Sequence, residues 1–232
     1  MTTRSPELTW GCAGPCAVRI AHSEAPSPTT TLELLALASQ LKSHFGEGIV
    51  DAVPGFQTLT LFIDHRSCSL ESLGSYVDEI TIEELAVTEI GGKELELPVY
   101  YASEVGADLE RVADCCRVSV DELIDLHTGT TYHAYANGFA PGFCYLGEIP
   151  EKIATPRLAT PRRQVPAGSV AIADRQTAIY PIASPGGWNL LGRCPTPLFD
   201  RRSAPPATIN VGDRVRFKAI EREEYLALGG GL

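Results

Sequence analysis

The sequence predicts an α+β protein in two parts, a small α/β unit over residues 1–90 and a β-rich unit over residues 97–232. Three observations carry this. Apolar residues recur at strand and helix spacing in a β-α-β-β-α-β order as far as Ile90. Gly91-Gly92-Lys93 then reads as a turn or linker. From Thr130 the chain changes to short apolar runs cut by Pro and Gly, which suit strands and break helices.

Taken in order, Cys16 to His22 alternates as a strand. Thr30 caps a helix, with Glu33 completing a capping box, and Leu34, Ala38, Leu41 and Phe45 form its apolar stripe up to a stop at Gly46. Strands are expected over Ile49–Val53 and Gln57–Asp64 around a Pro54-Gly55 turn. Leu70, Leu73, Val77 and Ile80 place a second helix over Ser69–Ile80, and a short strand is expected near Leu85–Ile90. That order is the split βαβ of a ferredoxin-like unit.

Beyond the linker, Leu97–Tyr101 reads as a strand, and Asp108–Cys116 and Val120–His127 as short helices, the second capped by Ser119 with Glu122. Strands are then expected over Tyr132–Ala136, Val165–Ala173, Thr177–Ile182, Trp188–Leu191 and Arg214–Phe217, the pattern of a β-barrel, with Leu226–Leu232 a loose tail. The acidic residues on the two helices, among them Asp108, Glu110, Asp114, Asp121, Glu122 and Asp125, argue against a DNA-reading helix pair.

Charge is unevenly spread. The chain carries −10, yet Asn137–Arg202 holds eight basic residues against four acidic ones, while residues 1–136 hold seven against 21. A basic island in an acidic chain favours an anionic small molecule over nucleic acid. The start lacks a continuous apolar segment and no run reaches membrane-spanning length, so a cytoplasmic protein without membrane contact is expected. Seven cysteines without CxxC spacing read as buried free thiols, and no metal-binding motif is seen. No P-loop or GxGxxG occurs.

Arg157 and Arg162 each follow a proline that stiffens the preceding backbone, and an arginine fork suits a carboxylate or phosphate. The competing reading is a pair of arginines spent on intramolecular ion pairs. His127, at a helix end before Thr128-Gly129-Thr130, is the candidate acid–base group, its charged form favoured by the helix C-terminus; the alternative is a core or capping histidine. Ser169, Gln176 and Ser184 are candidate hydrogen-bonding contacts, without the G-x-S-x-G context of a nucleophile at Ser169. Tyr145 and Trp188 are candidate pocket walls or core aromatics.

The segments GFAPGFCYLG, Thr155-Pro156-Arg157, Thr160-Pro161-Arg162, VPAGSVAI, QTAIYP and SPGGWNLLGR, in this order, resemble the family of 5-oxoprolinase B subunits, also called allophanate hydrolase subunit 1, which includes a sporulation histidine-kinase inhibitor. The resemblance implies a cyclophilin-like β-barrel after the small α/β domain. It also implies a subunit of an ATP-dependent hydrolase that opens 5-oxo-L-proline to L-glutamate, inactive without its A and C companions. ATP is the implied cofactor, and the implied site takes an anionic substrate at Arg157, Arg162 and His127. Cys144, Ala178 and Cys194 stand where the family has Pro, Gly and Thr. The rival expectations are a regulatory binding protein and an allophanate hydrolase or urea carboxylase component. Prolyl isomerisation would rest on fold alone.

Overall fold

The computed structural model describes residues 7–85, 87 and 91–232. The chain divides into two compact units, Met1–Gly91 and Gly92–Leu232.

In the first unit, strands β1 (Leu8–Gly14), β2 (Ala17–His22), β3 (Ile49–Gly55) and β4 (Thr58–Ile63) form an antiparallel sheet in the order β1-β2-β4-β3. Helix α1 (Pro28–Phe45) joins β2 to β3, with β4 between them, which makes a split βαβ. Helix α1 starts earlier than the Thr30 cap predicts. Ser27 is its N-cap, its hydroxyl accepting from the Thr30 N–H, and Pro28 fits the first turn because its missing donor is not needed there. Helix α2 (Leu70–Glu79) is capped by Ser69, which accepts from the Ser72 N–H. Leu34, Leu37 and Leu41 of α1, Leu73 and Val77 of α2, and the alternating Val18, Ile20, Leu59, Leu61 and Ile63 of the sheet form one buried core. Each such side chain contributes roughly 1.5–3 kcal/mol.

The strand expected near Leu85–Ile90 lies largely outside the described residues, and the place beside β2 is taken by β1, which precedes it in a hairpin. Two of its seven residues are glycine, so β1 carries little strand signal. Trp10 anchors it: its ring lies over α2 where a Cβ on Gly74 would come within 2.0 Å, and its indole N–H donates to Asp78 at 2.9 Å.

In the second unit a mostly antiparallel sheet runs β5 (Glu94–Val99), β13 (Arg214–Ala219), β6 (Thr131–Asn137), β7 (Cys144–Gly147), β10 (Gln176–Ile179), β9 (Ser169–Ala173) and β12 (Asn189–Arg193). Its one parallel pair is β5 with β13. Strands β8 (Arg162–Val165) and β11 (Ser184–Gly186) form a separate pair. The run expected as one strand over Val165–Ala173 is thus two strands, because Pro166 lacks the donor and Gly168 takes φ +79° between them. The barrel expectation is met only as far as this curved sheet. Its two ends meet at a single bridge, Tyr100 with Arg193, and not through a ladder, so the barrel is not closed.

Helices α3 (Leu109–Cys116) and α4 (Val120–Thr128) pack on the sheet through Leu109, Val112 and Leu123 against Tyr132, Leu146 and Phe217. Helix α5 (Arg222–Ala227), with Tyr225 buried and stacked on Tyr100, takes in only Leu226 and Ala227 of the segment read as a loose tail. The cysteines also depart from expectation: all seven are free, but Cys12, Cys16 and Cys115 are exposed. No described helix is long and apolar enough to cross a membrane.

Candidate functional site

The motif GFAPGFCYLG folds as a tight loop followed by β7. Gly142 takes φ +86° where the chain passes the Leu198 carbonyl, a conformation and a proximity that exclude a side chain. The turn places Phe143 at the centre of an aromatic cluster, edge-on to Tyr145, Tyr180 and Trp188 with ring centres 4.9, 5.5 and 5.8 Å away. These rings and Phe139, which is 60% exposed, wall a cavity of about 180 Å³. Gly186 belongs to the same wall because a Cβ there would lie 2.3 Å from the Tyr180 hydroxyl. Burial raises the Tyr180 phenol above its usual value, so it stands as a neutral O–H.

Arg157 is the cation of this cavity. Its loop is pinned on both sides: the Asn189 amide donates to the Pro156 carbonyl at 3.0 Å, and the Leu158 N–H donates to the Gly187 carbonyl at 2.7 Å. The guanidinium sits 5.7 Å above the Trp188 ring, and its nearest carboxylate, Asp174, is 3.9 Å away with both side chains more than half exposed. An exposed pair at that distance is worth little. Arg157 is therefore positioned by stacking and able to take a ligand carboxylate.

Arg162 is spent elsewhere. Its guanidinium lies 2.7 and 2.8 Å from the two oxygens of Asp108 and donates to the Trp188 carbonyl at 3.3 Å. Asp108, 3% exposed, also accepts from Arg111 at 3.0 Å and from the Leu190 N–H at 2.8 Å. Arg111 reaches on to the Asn189 amide oxygen at 2.5 Å. Burial by itself raises the Asp108 carboxyl, but the bonds from Arg162, Leu190 and Arg111 outweigh it and hold the group below the usual carboxylate range. This network fixes the back of the cavity by tying α3, β8 and β12 together. The expectation that Arg162 shares the pocket is corrected to a supporting place behind the Trp188 wall, and Asp108, read as helix surface, is in fact its buried partner.

His127 is corrected as well. It is fully buried, stacked on Phe217 at 4.8 Å and 9°, with Nδ1 2.7 Å from the Tyr101 hydroxyl and Nε2 2.9 Å from the Thr177 hydroxyl. Thr177 donates onward to the Ala171 carbonyl at 3.1 Å, so Nε2 carries the ring proton and Nδ1 accepts from Tyr101. Burial lowers its pKa to about 3, the reverse of the shift expected at a helix end. A neutral, enclosed imidazole with both nitrogens engaged is a core group, without access to a substrate.

The cavity thus brings together Arg157, Tyr145 and Trp188, and not Ser169, Gln176 or Ser184. Ser169 opens β9 with its hydroxyl buried and unpartnered, as is that of Ser184 in β11, and Gln176 opens β10 opposite Gly147. Sequence reasoning missed Phe139, Phe143 and Tyr180. The Phe139, Phe143, Tyr145 spacing within one loop-and-strand motif was the available signal.

Residues 9–209 match the model of the carboxyltransferase domain, subdomain C and D. The B subunit of 5-oxoprolinase from Bacillus subtilis (strain 168) is 39% identical over 202 residues, covering 83% of this chain and 84% of that protein. The chain belongs to the 5-oxoprolinase B-subunit family. A second member, the B subunit of the Haemophilus influenzae 5-oxoprolinase, is 42% identical over 185 residues, 80% of this chain and 85% of that protein. Among solved structures, TTHA0988 superposes with a TM-score of 0.77 at 36% identity over 88% of this chain, which spans 40% of that chain. The urea carboxylase of Kluyveromyces lactis shares the fold at 17% identity, with a TM-score of 0.76 over 98% of this chain and 23% of its own.

Proposed function

We propose that the chain is a subunit of an ATP-dependent 5-oxoprolinase, opening 5-oxo-L-proline to L-glutamate together with companion A and C subunits. The observation that carries this reading is the 39–42% identity to proteins of that name over four-fifths or more of both chains. The cavity is compatible with it. A space of about 180 Å³ suits a five-membered ring, whose carboxylate would pair with Arg157 while Phe143, Tyr145 and Trp188 pack its faces. Replacing water by these rings strengthens the ion pair, because the local dielectric falls.

ATP does not fit this cavity. Pockets for drug-sized ligands run to roughly 300–1,000 Å³, and a single guanidinium faces a group carrying several charges. In this reading the nucleotide binds outside the aromatic cavity. The part assigned to the chain is to bind the lactam's carboxylate and hold the ring, and His127 has no share in proton transfer.

Coupled measurement of ATP-dependent glutamate formation by the chain alone and with its A and C companions tests the reading. Turnover is expected only from the combination, and robust turnover by the isolated chain would refute it. A regulatory role is the second reading, favoured by Phe139 standing 60% exposed at the cavity mouth, as a protein-binding aromatic would. It predicts no turnover from the combination and tight binding of a kinase instead. A component acting on carboxylated urea would present the same kind of anion to Arg157, and offering both substrates to the combined subunits separates the two.

A further inference from the structure

A second cavity, of about 290 Å³, lies on the other side of Tyr180, with walls that include Pro181, Arg193, Pro195, Tyr225 and Gly231. Arg193 ends β12, its backbone bonded both ways to Tyr100 at 2.9 and 2.8 Å, so the side chain starts from a fixed point. Its Nη1 donates to the Gly231 carbonyl at 2.8 Å, and the Tyr225 hydroxyl donates to the same oxygen at 2.7 Å. Its Nε is buried with no acceptor, and no carboxylate among the described residues pairs with it. A buried donor without a partner on a charged group is unfavourable and calls for an explanation. The neutral Gly231 carbonyl meets only part of the guanidinium's demand.

We propose that this cavity binds a small monocarboxylate with an apolar body, its carboxylate taking the Arg193 guanidinium in place of the Gly231 carbonyl as the Gly229–Leu232 segment shifts. One guanidinium and no other cation among the cavity's walls matches a single negative charge better than a phosphate dianion. The proline and tyrosine faces match a compact hydrocarbon body. Three consecutive glycines, Gly229-Gly230-Gly231, let the segment rearrange at small steric cost, and Gly230 is close enough to the Tyr225 ring that a Cβ would lie 2.3 Å from it. Binding is therefore coupled to opening: any change that weakens the closed arrangement raises the apparent affinity. The site uses neither Arg157 nor the proposed turnover.

The test follows the Arg193 Nε–H resonance by NMR in the full chain while cyclopentanecarboxylate is added, with cyclopentanecarboxamide as the neutral control. A saturable shift with the acid and none with the amide is expected. Arg193→Gln abolishes the saturable shift of the Gly229 and Gly230 amide resonances at this cavity, and Arg157→Ala leaves the Arg193 shift unchanged. Tyr225→Phe keeps the ring stacked on Tyr100, removes one bond to Gly231 and tightens binding about two- to tenfold. An unmoved Arg193 resonance, equal binding of the amide, loss of binding in Arg157→Ala, or weaker binding in Tyr225→Phe overturns the proposal.

Discussion

His127→Gln separates a buried structural histidine from an acid–base catalyst by its pH dependence. In the folded chain the imidazole is neutral, with its pKa lowered to about 3 by burial, while in the unfolded chain it titrates near 6.5. A depressed folded pKa gives stability that is complete above pH 6.5 and is lost as pH falls toward 3. The slope is at most about 1.4 kcal/mol per pH unit, so His127 alone withdraws about 2 kcal/mol between pH 7.5 and pH 5. Glutamine does not titrate there. At pH 7.5 the substitution loses the stack on Phe217 and the fit of the bonds to Tyr101 and Thr177, costing about 2 kcal/mol. Urea unfolding at several pH values should therefore show wild type more stable at pH 7.5 and the two proteins nearly equal at pH 5, with unchanged m-values. A difference that stays constant across this range would mean that His127 titrates normally, and the enclosed hydrogen-bonded imidazole would be wrong.

Three further outcomes follow from the same packing. Asp108→Ala leaves two guanidinium groups and the Leu190 N–H without their acceptor, and should cost about 3 kcal/mol by urea unfolding, against about 1 kcal/mol for the half-exposed Arg111→Ala. Because its folded pKa is lowered, the Asp108 contribution is present above pH about 4 and lost as pH falls below it, so wild type and Asp108→Ala should converge in acid. Gly74→Ala forces the Trp10 ring off α2 and should destabilise by about 1–3 kcal/mol with a shift in Trp emission; an unchanged spectrum and midpoint would contradict that contact. Brief alkylation of the native chain, read by mass spectrometry, should label Cys12, Cys16 and Cys115 and spare Cys68, Cys144 and Cys194, whose thiols burial raises; early label on Cys144 would contradict its placement.

The sequence made some of these features legible and hid others for physical reasons. Helices α1, α2 and α4 announce themselves through apolar stripes, and α4 through its Ser119 cap as well, although α1 begins at Ser27-Pro28 and not at the expected Thr30 cap. Strand β1 was silent because only Leu8 and Trp10 of its seven residues pack on the core, and its pairing is set by a hairpin. The charge count pointed to the segment that carries the aromatic cavity but could not tell Arg157 from Arg162. Both follow a proline, and only the fold brings Asp108, distant in sequence and beside an acidic helix, against one of them. His127 illustrates the same limit: a helix-end position favours the charged form, yet complete burial is the larger effect. The aromatic walls were present in the motif, but the choice between core and pocket for Tyr145 and Trp188 depends on the sharp turn at Gly142.

The most direct test of the central claim is the effect of Arg157→Ala on the assembled subunits. With the ion pair to the substrate carboxylate lost, kcat/KM for 5-oxo-L-proline should fall by roughly 30-fold, equivalent to about 2 kcal/mol, with subunit assembly unchanged. The exposed Arg163→Ala serves as control and should leave kcat/KM unaltered. An Arg157→Ala complex that turns over as fast as wild type, or one that fails only because the subunits no longer assemble, contradicts a carboxylate-binding role for this cavity.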